Sequence, residues 1–428
     1  IVKEKNKWLT ISLANLFIVA ILGTALRTKI LFSIPWIDFK FLLHAHSHFA
    51  FGGWLTLCLF TLMTFEILPH GSGGKLKYRI LLGGTFLSAT GMLLSFPFQG
   101  YGFISIFFST LFIFVTYAFS WFFIRDLLKS QAGKPIVILS IAALVAADLS
   151  SVGPFTLAYM LASHHTNLLL YKDSIYTYLH LQYNGFFSLG VFALFFNQFY
   201  SRLNDTAKRR VGIFSKVLSF SILPTLFLSY LWHFPNDLIR GIAIIGCVLL
   251  AVTLIFFVRM IKPARKVLQR IHPFAKAIGI LSMTAFFLKT AVQIGIVIPS
   301  VGNEVFGDRP MIIGYLHLVM LGFVSLYLLA HLVHTEFFNK RGDLSRKGII
   351  VFTCAVIGNE FILMIQGLSA MLMQGSSVYP WLLWVAAVFL LLGSLIILLS
   401  VISPLKGTPV THAPVLTVKP ENILETIN

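Results

Sequence analysis

The stretch FLLHAHSHFAFGGW, residues 41–54, sets three histidines at alternate positions at the mouth of a long apolar segment. An imidazole inside a bilayer is costly and usually tied to function. His44, His46 and His48 therefore raise two questions together: whether this segment crosses a membrane, and what its histidines hold.

Composition answers the first. The chain has 428 residues, 57% hydrophobic and 11% charged, with a mean hydropathy of +0.87. No soluble core absorbs that much apolar surface, so the solvent is a bilayer. Stretches long enough to cross a hydrocarbon core of about 30 Å run over residues 8–26, 41–68, 79–98, 101–124, 135–163, 174–200, 211–231, 238–258, 274–298, 310–335, 348–374 and 380–403. Numbered 1 to 12 in that order, they predict an all-α polytopic membrane protein, a single bundle over 1–403. The first reads as a true span, not a cleavable signal peptide. The polar, proline-containing stretch 404–428 is expected to be a disordered cytoplasmic tail.

Three cysteines, Cys58, Cys247 and Cys354, occur without CxxC spacing. That pattern argues against a disulfide framework, a zinc ribbon, an iron–sulfur cluster and covalent haem attachment. The formal charge of +18 reads as lipid anchoring, not nucleic-acid binding. With both termini inside, 26 of the 33 lysines and arginines fall on cytoplasmic segments, as the positive-inside rule expects for a bacterial-type inner membrane. Clusters such as KRR (208–210) then face the inner leaflet.

Orientation gives the thirteen histidines a pattern. Even-numbered helices begin outside, which places His44, His46 and His48 at the outer start of helix 2. His180 in YTYLHLQYNGFF and His317 in IIGYLHLVMLGF follow about 7 residues into helices 6 and 10, so the outer histidines on all three helices lie roughly 5–12 Å below the surface. His164, His165 and His233, at the ends of helices 5 and 7, share that face. His70, His272, His331, His334 and His412 fall on the cytoplasmic side and are expected to be ordinary interfacial residues. Depth-matched imidazoles from separate helices suit a membrane haem, with one ligand for each porphyrin face. On helix 2, His44 and His48 share a face and His46 points about 200° away, so the three cannot all bind one iron. Gly52 and Gly53 just beyond allow a close helix or flat cofactor contact.

These positions resemble subunit I of the haem–copper oxidase superfamily, most nearly its nitric oxide reductase branch. The resemblance implies that His317, in YLHLVMLG, and His44, His46 or His48 hold a low-spin haem b. It also implies that His180, in YLHLQYNG, binds a second metal, copper or non-haem iron, helped by His164, His165 or His233. Tyr315 stands where the family's catalytic haem has its histidine, and the adjacent pair expected on helix 7 is missing. Implied partners are an electron-donating cytochrome or quinol, small subunits, and a diatomic gas, O₂ or NO. The NnrS family, linked to nitrosative stress, also carries a helix-start HAH and suggests a non-catalytic haem or copper protein in nitric oxide response. Arg240 and Arg309 are candidates to meet haem propionates. A third reading is a metal-ion transporter, with Lys289, Asp148 and Glu360 as a coupling path through the bilayer.

Overall fold

The computed structural model describes residues 2–402 except 165, 235, 308, 339–341 and 373, and not the side chains at 303–304, 306–307, 309 and 342. Every regular element among the described residues is helical. Twelve helices are long and apolar enough to cross a membrane: helix 1 (Val2–Leu31), helix 2 (Phe39–Ile67), helix 3 (Leu76–Gln99), helix 4 (Phe103–Leu127), helix 5 (Lys134–Ala162) and helix 6 (Leu168–Asn197). Helix 7 (Asp205–Tyr230), helix 8 (Asp237–Leu268), helix 9 (Pro273–Gly295), helix 10 (Pro310–His334), helix 11 (Asp343–Met371) and helix 12 (Val378–Ile402) complete the set. Only helices and closed barrels satisfy their backbone inside lipid, and the apolar runs are too long for strands. The expected tail over 404–428 lies outside the described residues.

The helices outrun their apolar stretches. Helix 1 begins within the basic N-terminal residues, and helix 8 continues through Pro263 to Leu268. Charged ends hid these turns, since lysine and arginine favour helix once their heads reach water. Helix starts carry side-chain caps that accept orphan backbone N–H groups. Asp38 accepts from Phe41, Asn167 from Leu169 and Leu170, Asn204 from Ala207 and Asn236 from Leu238. A short helix, Pro299–Gly307, precedes helix 10 and was not expected.

Helix 1 packs on helices 2 and 12, and helix 3 on helices 2 and 4. Helix 5 packs on helices 4, 6 and 7, helix 9 on helices 8 and 10, and helix 11 on helices 10 and 12. Helices 2 and 6 are the most enclosed, with 78% and 83% of their apolar stretch buried inside the protein. They meet helix 10 in the interior, where Trp54 Nε1 donates to Ser325 Oγ at 2.9 Å. The Phe192 ring of helix 6 lies 4.7–5.9 Å from rings of helices 7, 8, 9 and 10. This aromatic plug closes the middle of the bundle.

Helices 2, 6 and 10 share one departure from regular geometry. Each widens into a π-helical stretch just past its histidine: Ala50–Thr56, Leu181–Phe187 and Leu318–Ser325. Such stretches often mark functional sites. Widening strains the i−4 ladder, and a side chain meets a carbonyl in each. Asn15 Nδ2 donates to Gly53 O at 2.7 Å, Ser188 Oγ to Tyr183 O at 2.6 Å, and Ser282 Oγ to Phe323 O at 2.7 Å. Interhelical bonds like the first and third average about 0.6 kcal/mol in membranes, so they set geometry more than stability.

The helix starts of 2, 6 and 10 define the histidine end of the bundle. The opposite end, rich in lysine and arginine, is the basic end.

Candidate functional site

His46 is the helix 2 histidine that turns toward helices 1 and 10. Its Nδ1 lies 3.2 Å from Val19 O on helix 1. His317 places Nδ1 2.8 Å from Ile313 O, one turn earlier on its own helix. A carbonyl only accepts, so both rings carry their proton on Nδ1 and present a bare Nε2 lone pair. Neither Nε2 has a hydrogen-bond partner among the described residues, and neither is sealed in by packing. The two imidazoles are electrostatic neighbours, and the Arg27 guanidinium at the end of helix 1 neighbours both. At Gly23, on helix 1, an added Cβ would stand 3.1 Å from His46 Cε1, so the missing side chain lets the ring lie against the helix.

His44 and His48 face the other way, toward Phe96 and Tyr101. The His48 ring stacks on Phe96 at 4.6 Å between centroids, and its Nε2 is 3.1 Å from Tyr101 Oη. The His44 ring lies 4.7 Å from the Tyr101 ring. Gly100 makes this possible: its φ is +54°, and a Cβ there would fall 2.4 Å from the Phe41 ring. Burial pushes the Tyr101 phenol up to about 12, with Tyr171 adding to the push. At neutral pH Tyr101 is therefore an uncharged hydroxyl, hydrogen-bonded to His48 Nε2.

His180 has the opposite tautomer to His46 and His317. Its Nε2 donates to Ile222 O of helix 7 at 2.9 Å, because Nδ1 accepts from Asn184 Nδ2 at 3.2 Å. The Asn184 carboxamide is the hub of a buried network. Its oxygen also accepts from Lys289 Nζ at 2.8 Å and from Tyr315 Oη at 3.4 Å. Lys289 is 1% exposed and lies over the Phe286 ring at 5.1 Å. His180 thus points inward and shares Asn184 with Tyr315, yet both of its ring nitrogens are occupied by protein groups.

Of the other members of the expected second metal centre, His233 turns to a carboxylate and His164 to solvent. His233 Nε2 pairs with Asp173 at 3.1 Å, and His164 sits exposed in the turn after helix 5 at φ +53°. His165 lies outside the described residues. No group of three or more histidine, cysteine, aspartate or glutamate side chains suited to a metal occurs among the described residues. The donor set present fits a hydrogen-bond network and not a copper centre, which commonly needs two or three nitrogens.

Arg240 belongs to helix 8, packed on helices 7 and 9. Its Nε is buried without a hydrogen-bond partner among the described residues. Arg27, not Arg240, neighbours His46 and His317, and the Arg309 side chain lies outside the described residues. Asp148 accepts from Ser120 at 2.9 Å, Glu360 accepts from Asn359 at 3.0 Å, and Lys289 donates to Asn184 at 2.8 Å.

The basic end holds a cluster that the residues alone did not announce. Glu66 pairs with Lys5 at 2.6 Å and with His331 at 2.8 Å. His331 is 2% exposed; its Nδ1 also meets Gln198 Nε2 at 2.6 Å. His331 is therefore a buried tie between helices 1, 2, 6 and 10. Arg27, Tyr101 and Glu66 escaped the sequence reading, because each is an ordinary residue until the fold sets it beside a histidine. The chain matches no protein-family model and no curated protein.

Proposed function

We propose that this protein is a membrane haem protein that handles electrons, holding a b-type haem between His46 of helix 2 and His317 of helix 10. The observation that carries the reading is the shared tautomer: two neighbouring imidazoles, on separate helices, each fixed by an Nδ1–H bond to a carbonyl and each left with an open Nε2. Metal-bound histidines characteristically give their other nitrogen to such a partner, which orients the ring and raises its basicity. A haem with two imidazole ligands supplies one-electron transfer. Val19 and Ile313 hold the ring planes, Gly23 leaves room beside His46, and Arg27 offers a cation to the haem propionates.

The same residues support the resemblance to subunit I of the haem–copper oxidases, with a difference at the second site. The Asn184 network occupies His180 and Tyr315 with hydrogen bonds, which favours an electron carrier or a sensor of NO or O₂ over a copper-dependent reductase. The charge asymmetry supports an inner-membrane location with the histidine end outward. The test is an absorption spectrum of the purified protein, oxidised and dithionite-reduced. A Soret band that is lost in His46→Ala and in His317→Ala supports the reading; a colourless protein from haem-sufficient cells overturns it.

A further inference from the structure

His44 and His48 stand one helical turn apart on a face of helix 2 that the haem reading leaves unused. Their ring centroids are 6.5 Å apart. Tyr101, held over them by the Gly100 turn, brings its oxygen to 3.1 Å from His48 Nε2, and its ring lies 4.7 Å from His44. Phe96, parallel to the His48 imidazole within 8°, fixes the plane of that ring. No hydrogen bond to a ring nitrogen of His44 occurs among the described residues.

The spacing is that of ligands sharing one ion. With bonds of about 2.0–2.1 Å, neighbouring donor atoms stand about 2.8–3.3 Å apart, from square-planar to tetrahedral geometry. The His48–Tyr101 pair already meets that distance. Two imidazoles on one such ion have centroids about 5 Å apart, so the His44 ring must swing inward by about 1.5 Å. Rotation about its side-chain bonds suffices, since the ring is held by contacts alone.

We infer that His44, His48 and Tyr101 form a site for a divalent transition-metal ion at the histidine end, distinct from His46 and His317. Two imidazoles and a phenolic oxygen favour Cu²⁺ over Zn²⁺. The ion replaces the Tyr101 hydroxyl proton: one metal–oxygen bond forms, one O–H bond breaks, and the proton leaves to solvent. No electron moves. The bound ion ties the start of helix 2 to the turn between helices 3 and 4.

The experiment uses the full chain in detergent, stripped with a chelator and dialysed against graded Cu²⁺, with the Soret region recorded on the same samples. Wild type should hold one more ion per chain than the His44→Ala/His48→Ala double variant. Either single variant should weaken that ion by at least about 100-fold, more than loss of an outer-shell partner costs. In wild type the affinity should rise roughly tenfold per pH unit, for one displaced proton. Tyr101→Phe should bind more weakly and lose that slope, which a merely structural tyrosine would not affect. Should an alanine variant fail to elute as folded protein, His44→Gln and His48→Gln carry the same expected loss. Equal copper in wild type and the double variant overturns the inference, as does a pH slope unchanged in Tyr101→Phe. The haem reading stands apart: a Soret change in the His44 or His48 variants would count against His46, not against the metal site.

Discussion

Replacing Asn184 by leucine removes three hydrogen bonds at once from the centre of the bundle. The bond from Lys289 Nζ at 2.8 Å is the strong one; a bond involving a charged group contributes about 1.5–3 kcal/mol. The contacts with His180 at 3.2 Å and Tyr315 at 3.4 Å are longer and neutral, adding about 0.5 kcal/mol each. Asn184→Leu should therefore cost about 3 kcal/mol, mostly by leaving the Lys289 amine unpartnered. Lys289→Met should cost little, because exchanging a buried cation for an apolar side chain of similar volume is often neutral. Once the cation is gone, Asn184→Leu should cost only about 1 kcal/mol, giving a coupling of about 2 kcal/mol in the double-mutant cycle. Reversible unfolding in mixed micelles of rising SDS content measures all four proteins. A coupling below about 0.5 kcal/mol, the scatter expected of independent sites, would refute the network as the reason for the lysine.

Three further outcomes follow from the same geometry. His331→Ala should leave any haem spectrum unchanged, since His331 lies at the far end of helix 10 from His317, but should destabilise the protein by about 2 kcal/mol by leaving Glu66 and Gln198 without a buried partner; unfolding and absorption on one sample check both. Arg27→Leu should keep the Soret band and lower the haem midpoint potential in a redox titration, because a nearby positive charge disfavours the oxidised iron; an unchanged potential would remove Arg27 from the site. Gly23→Leu should drive the His46 ring from its place, since even a Cβ stands 3.1 Å from it, and haem content should fall while the protein still elutes as folded.

The twelve helices and the histidine-rich end were legible because hydropathy and charge are local properties of the chain. Helical phase alone separated His46 from His44 and His48, but not which of the two faces met helix 10; that depends on helix 1 supplying Val19 and Gly23. His180 looked like a ligand by depth and motif. Its role turns on Asn184 and on the Ile222 carbonyl, 42 residues away in the chain. The π-helical stretches carried no readable signal either, since the side chains that meet their carbonyls include Asn15 and Ser282 on other helices. The partners of His331 were hidden for the same reason: Glu66 sits at the end of helix 2, and only packing makes them neighbours.

The central claim is that His46 and His317 hold a haem, and absorption spectra of five purified proteins address it most directly. Wild type, His48→Ala and His180→Ala should each show a Soret band and, after dithionite, the sharp α band of a low-spin b-type haem. His46→Ala and His317→Ala should lose both bands while remaining monodisperse. An intact spectrum in either of those two variants, or loss of the bands in His180→Ala with the fold preserved, would contradict the account.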